Sequence, residues 1–207
     1  ISNATEIGTI YHKEELQALR DVCDELGLYL FMDGARLGAA LTAEDNDVEF
    51  DDLCKYCDVF YIGGTKNGAL FGEAVVIVND DLKKNFRYMI KQRGGMLAKG
   101  WLLGTQFQVL FEQGLYLPSA KHANELAQKM QSEMKKLGVS FFIETTTNQI
   151  FPILDNQLIE KLQKDYAFQV WEEMDEHTTA MRFVTSWATK QEDVDAFLAD
   201  FTKLVKG

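Results

Sequence analysis

Apolar positions recur along the chain with two periods. Over Lys13–Leu26 the residues Leu16, Leu19, Val22, Cys23 and Leu26 fall at helical spacing, and Gly27 follows as a stop. Leu28–Met32, Val59–Ile62 and Ala74–Val78 are short apolar runs that predict buried strands, and Phe50–Tyr56 predicts a short helix. Strand, helix, strand, helix, strand with near-continuous apolar strands predicts a parallel or mostly parallel α/β sheet. From about Asp80 to Tyr116 the pattern is helical. Pro118 interrupts it, and Ser119 is placed to cap the helix Ala120–Leu137, whose apolar face is Ala123, Leu126, Ala127, Met130, Met134 and Leu137.

Beyond Gly138 the character changes. Val139–Glu144, Gln149–Leu154, Phe168–Met174 and Met181–Ser186 predict a small antiparallel sheet. Thr189 and Glu192 have capping-box spacing before a last helix whose apolar face is Val194, Phe197, Leu198, Phe201 and Leu204. A boundary near Pro118 therefore divides an α/β part, residues 1–118, from a smaller α+β part, residues 119–207.

Composition narrows the function classes. The 207 residues carry 21 Lys and Arg against 32 Asp and Glu, a formal charge of −11, which disfavours a nucleic-acid surface. Phe 14, Tyr 7 and Trp 3 supply ample apolar area for a packed core. No apolar run has the length of a membrane span; the best, Gly68–Val78, is broken by Glu73. The opening residues lack the basic-then-apolar order of a secretory leader. Three cysteines, Cys23, Cys54 and Cys57, do not make an even disulfide framework. Together these predict a reducing, cytoplasmic setting. Cys54 and Cys57 form a lone Cys-x-x-Cys pair without the further ligands a zinc site needs, and read as buried reduced thiols. The chain opens Ile1-Ser2-Asn3-Ala4 without Met, which predicts the later part of a longer protein.

Ligands of open α/β sheets bind outside the carboxyl ends of the strands. Two unusual segments stand there: Asp33-Gly34-Ala35-Arg36 after Leu28–Met32, and Gly63-Gly64-Thr65-Lys66-Asn67-Gly68 after Val59–Ile62. A carboxylate and an amine are thus delivered to one sheet edge, with glycines that let a ligand approach the backbone. Pyridoxal phosphate needs such a pair, a lysine for its aldehyde and a carboxylate that keeps its ring nitrogen protonated. Each residue also has a plain structural explanation: Asp33 as a helix N-cap, Lys66 as a solvated loop lysine, Arg182 as a strand residue paired with Glu172.

The ordered set Ser2–Thr9, Asp33–Leu37, Gly63–Gly68 and Met181–Ser186 resembles the C-terminal part of a low-specificity L-threonine aldolase or related β-eliminating lyase. The resemblance implies a fold-type-I pyridoxal-phosphate architecture: the second half of a large cofactor domain, mostly parallel, followed by a small α+β domain. It implies that Lys66 holds the cofactor, that Asp33 pairs with the pyridine nitrogen, and that Arg36 and Thr65 stand beside the cofactor. Arg182, with Arg36, would grip the substrate α-carboxylate, a task suited to a planar guanidinium. Arg93 and Lys99 are the candidates for the cofactor phosphate. No metal is implied. The family is longer on its N-terminal side, where it carries a glycine-rich phosphate cup. The implied reaction is cleavage of L-threonine, or a similar β-hydroxy amino acid, to glycine and an aldehyde, in a homodimer or homotetramer, with this chain alone a poor catalyst. The rivals are β-elimination, racemisation or transamination at the same lysine, and a non-catalytic α/β binding module.

Overall fold

The computed structural model describes residues 1–206. Its first layer comprises α1 (Lys13–Leu26), β1 (Phe31–Met32), α2 (Leu37–Leu41), α3 (Phe50–Tyr56), β2 (Val59–Gly63) and β3 (Glu73–Ile77). Helix α1 stops as its sequence predicts, at Gly27 in the left-handed region with φ 65°. The sheet order is β1-β2-β3, with β1 parallel to β2. The expected parallel or mostly parallel pairing holds for β1 and β2 but not for β3, which runs antiparallel to β2. The reason is the connection. No helix lies between β2 and β3, and a parallel return requires a long crossover. Nor are the strands buried on both faces. Leu30, Met32 and Phe60 join Leu16, Leu37 and Leu53 in one core, whereas Phe31 and Val75 on the other face are about half exposed.

The helical stretch after β3 is broken into α4 (Asp80–Lys83), α5 (Phe86–Gln92) and α6 (Trp101–Glu112). Asn85 and Gly94 take positive φ at the breaks. Helix α7 (Tyr116–Lys136) begins earlier than Ser119. Pro118 falls in its first turn, where a missing N–H costs no intrahelical bond, so the proline opens the helix and Ser119 lies inside it. The two parts of the chain meet along α7. Its Asn124 Nδ2 donates to the Ala39 carbonyl of α2 at 2.9 Å, and its Leu126, Met130 and Met134 enter the second core.

The second layer comprises β4 (Gln149–Ile150), β5 (Ile153–Asp155), α8 (Asn156–Leu162), β6 (Gln169–Glu173), β7 (Thr178–Val184) and α9 (Gln191–Lys206). As expected it is antiparallel, with β7 pairing β4, β5 and β6. The run Gln149–Leu154 is split at Pro152, which has no ladder donor, and Val139–Glu144 contributes one isolated bridge, Phe141 to Pro152. The expected capping box is absent. Thr189 uses its hydroxyl to accept from the Ser186 N–H at 2.9 Å, and α9 starts at Gln191. Val194, Phe197, Leu198 and Phe201 are buried on the predicted face, while Leu204 is partly exposed.

The segment before α1 ties the layers together. Ser2 bridges Asp33 in parallel, and farther along the Gly8 carbonyl accepts from Thr147 Oγ1 at 2.8 Å.

Helices α1 and α3 are joined by one carboxylate. Asp52 is buried, with Lys13 Nζ and Lys55 Nζ each 2.8 Å from it and the Glu49 N–H donating at 3.0 Å. The two lysines, Lys13 first, and that N–H hold its pKa below the ordinary carboxylate range. A depressed carboxylate stabilises the fold above its unfolded pKa and loses that contribution as pH falls through the folded value. Unfolding followed by urea is therefore expected to show stability falling below about pH 4, and Asp52→Asn should flatten that acid limb. An unchanged limb in the variant would contradict this role.

Candidate active site

Two loops are forced together by the absence of side chains. The Gly63 N–H donates to the Gly34 carbonyl at 2.9 Å. A Cβ on Gly34 would lie 1.8 Å from the Tyr61 carbonyl oxygen, and one on Gly63 2.4 Å from the Gly34 oxygen. Only glycine permits this approach, which sets Asp33–Arg36 beside Gly63–Gly68. The lysine loop is then pinned. Tyr116 Oη donates to the Gly63 carbonyl at 2.9 Å, Asn67 Nδ2 donates to the Tyr116 carbonyl at 2.8 Å, and the Gly64 N–H donates to Glu73 Oε2 at 2.7 Å. Burial pushes the Tyr116 phenol above its ordinary range, so it stays a hydrogen-bond donor. Lys66, between these fixed points, is exposed.

Lys66 faces a cleft of about 500 Å³ with Arg36, Thr65, Asn148, Arg182 and Trp187 among its lining. Residues of the two sheets thus meet there. The side chains of Arg36 and Arg182 are 9% and 16% exposed. Arg182 Nη1 donates to Glu6 Oε1 at 3.0 Å, and Arg36 Nη1 lies 3.8 Å from Glu6 Oε2. Arg182 therefore pairs with Glu6 and not with Glu172. The Nε of each arginine is buried without a partner. Burial first, and then the Arg182 charge, lower the Arg36 pKa, against the opposing pull of Glu6 and Asp33.

Asp33 is not a helix cap. Helix α2 follows Arg36, and Asp33 Oδ1 accepts from the Ala35 N–H at 2.9 Å within its own loop. It stands outside the cleft lining, half-buried, close enough to Tyr61 that burial first and the Asp33 carboxylate next push that phenol up. Thr65 is exposed and donates weakly to the Gly72 carbonyl at 3.4 Å. Arg93 and Lys99 are not brought to the cleft. They flank an exposed loop between α5 and α6.

Two residues were not singled out in the sequence: Asn148, which lines the cleft, and Glu6, which contacts its two arginines. Glu6 stands within the motif Ser2–Thr9 but reads as an ordinary surface acid. Asn148 precedes β4 and is buried; its Nδ2 donates to the Thr185 carbonyl at 2.7 Å, which leaves Oδ1 unpartnered. Among the cysteines, burial raises the Cys57 thiol to about 11, but Cys54 is exposed, contrary to the expectation of two buried thiols.

The model of the beta-eliminating lyase family matches residues 1–157. The chain belongs to this family. A low-specificity L-threonine aldolase of Pseudomonas sp. is 34% identical over 202 residues, covering 97% of this chain and 57% of that protein. Its namesake in Pseudomonas aeruginosa is 33% identical, covering 100% of this chain and 59% of that protein. The chain thus spans a little over half the length of these relatives. The solved structure of Leishmania major threonine aldolase superposes with a TM-score of 0.97 at 44% identity, over 99% of this chain and 60% of that one. A serine palmitoyltransferase of Sphingomonas wittichii, at 13% identity and TM-score 0.66, shares the fold. The expected α/β class of fold type I therefore holds for this beta-eliminating lyase family member, although its first sheet is mixed.

The glycine contact can be tested by stability. Gly34→Ala should cost at least about 3 kcal/mol, because the clash is with backbone. Gly27→Ala has open space and only a left-handed φ to contend with, and should cost about 1 kcal/mol. Urea denaturation of the two variants measures the difference; equal losses would contradict the close approach.

Proposed function

We propose that this chain forms the cofactor-lysine and carboxylate-binding half of a pyridoxal-phosphate lyase that cleaves L-threonine, or a similar β-hydroxy amino acid, to glycine and an aldehyde. The observation that carries the reading is the convergence of Lys66 with Arg36 and Arg182 on one cleft, drawn from separate sheets. The curated relatives named low-specificity L-threonine aldolase support the choice of reaction.

The residues present fit the cofactor. An exposed amine projects from a pinned loop, a half-buried carboxylate stands at the neighbouring strand end, and two arginine Nε groups lack partners. Pyridoxal phosphate, when bound, supplies a conjugated ring that takes up electrons from a bond broken at Cα. Lys66 would hold it through its amine, Asp33 would keep the ring nitrogen protonated, and Thr65 would line its place. Arg182, helped by Arg36, would bind the substrate α-carboxylate. Fixing that group would select which Cα bond is aligned for cleavage, perpendicular to the plane of the conjugated ring; for aldol cleavage it would be Cα–Cβ, with loss of the β-hydroxyl proton. Arg93 and Lys99, exposed on the loop between α5 and α6, would be the candidates for the cofactor phosphate.

On this reading residues 1–118 belong to the larger cofactor domain and residues 119–207 to the smaller one, with α7 running from the boundary between them. Half-exposed or more exposed Tyr88, Leu97 and Trp101 support assembly into a homodimer or homotetramer.

The protein carrying this sequence, supplied with pyridoxal phosphate and L-threonine, should yield glycine and acetaldehyde in equal amounts. Lys66→Ala should abolish the yield, and Arg182→Lys should raise KM at least about tenfold through loss of the forked contact. Oxo-acid formation from the hydroxy amino acid would replace aldol cleavage with β-elimination. No product, with full retention of fold, would contradict the enzyme reading.

A further inference from the structure

Two arginines are more than a single α-carboxylate requires. Arg36 and Arg182 are both largely buried, and the Arg182 charge disfavours that of Arg36. Glu6 relieves this by reaching both, at 3.0 Å to Arg182 and 3.8 Å to Arg36. Its side chain is 66% exposed, but its backbone is fixed. The Gly8 N–H donates to the Thr5 carbonyl at 3.0 Å, and the Thr9 N–H donates to Thr5 Oγ1 at 3.1 Å. The Gly8 carbonyl is held by Thr147. The carboxylate is therefore delivered to the arginine pair by a tied turn and not by a free surface segment.

We propose that Glu6 determines specificity. It takes up one of the two arginine charges, so that the cleft accepts ligands with one carboxylate and rejects those with two. A second ligand carboxylate would have to lie beside Glu6, and like charges juxtaposed in a partly desolvated site cost several-fold to many-fold in affinity. Asp33, which also acts on Arg36, adds to the same bias. The inference deepens the proposed function by assigning its substrate class: β-hydroxy amino acids with an uncharged side chain, not acidic ones.

The test is binding without cofactor. Propionate and succinate are titrated into the chain and into Glu6→Gln at low salt, followed by NMR. The native chain should prefer propionate. Glu6→Gln should tighten succinate at least about tenfold relative to propionate. A ratio that does not move, or a loss of both ligands, would overturn the proposal and make Glu6 a clamp that merely orients Arg182. Should Glu6→Gln fail to fold, Glu6→Asp serves. It keeps the charge but withdraws it by one methylene, and the preference should shift part-way toward succinate; an unshifted preference overturns the proposal equally. Because the readout needs neither cofactor nor turnover, absence of lyase activity would leave a shifted ratio standing. An unchanged ratio would likewise leave the lyase reading intact.

Discussion

The backbone contact between Gly34 and Gly63 sets the distance between two strand ends, and the candidate site is built on that distance. Any side chain at either position would wedge the loops apart, because the nearest atoms are carbonyl oxygens that cannot swing away. With the contact made, Arg36 at the start of α2 and Lys66 beyond β2 share one cleft. The Tyr116 and Asn67 hydrogen bonds then hold the lysine loop to the beginning of α7. Rigid support around an exposed amine is the arrangement a reactive lysine requires: the backbone is over-determined and the side chain alone remains free.

Helix α7 carries this placement to the second sheet. It packs on α2 near Gly38, where a Cβ would sit 3.0 Å from that of Ala120, and it buries Met130 and Met134 in the other core. Strand β7 lies on that core and points Arg182 toward Arg36. The electrostatic result is a pair of buried cations facing one another, tolerable because Glu6 stands between them. A site with unspent guanidinium donors and a removable share of negative charge is suited to capturing an anion from water. The tied turn at Thr5–Thr9 makes the same N-terminal segment a structural strap and the carrier of the carboxylate that meets both arginines.

Much of this was legible in the residues. The periodicity of α1, the stop at Gly27 and the apolar faces of α7 and α9 follow from spacing alone, since a helix shows its buried stripe directly. Lys66, Arg36 and Arg182 were legible through the ordered motifs, and the structure brings them together. The direction of β3 was not, because an apolar run carries no sign of its partner's polarity; only the length of the connection does. The one-sided burial of the first sheet was hidden for a similar reason, as Phe31 and Val75 look like core residues in sequence. The start of α7 was placed too late, at Ala120, because a proline that ends one helix and one that opens the next look alike. Glu6 and Asn148 were invisible as site residues. Their importance comes from neighbours far along the chain, Arg182 for one and Thr185 for the other.

The central claim is that Lys66 is the amine this fold presents to an aldehyde cofactor, and reductive trapping tests it most directly. The chain is incubated with substoichiometric pyridoxal phosphate, reduced with borohydride, and its peptides are mapped by mass. The account predicts an adduct concentrated on the peptide that contains Lys66. Adducts spread over exposed lysines such as Lys83 and Lys99, with Lys66 no more labelled than they are, would contradict it.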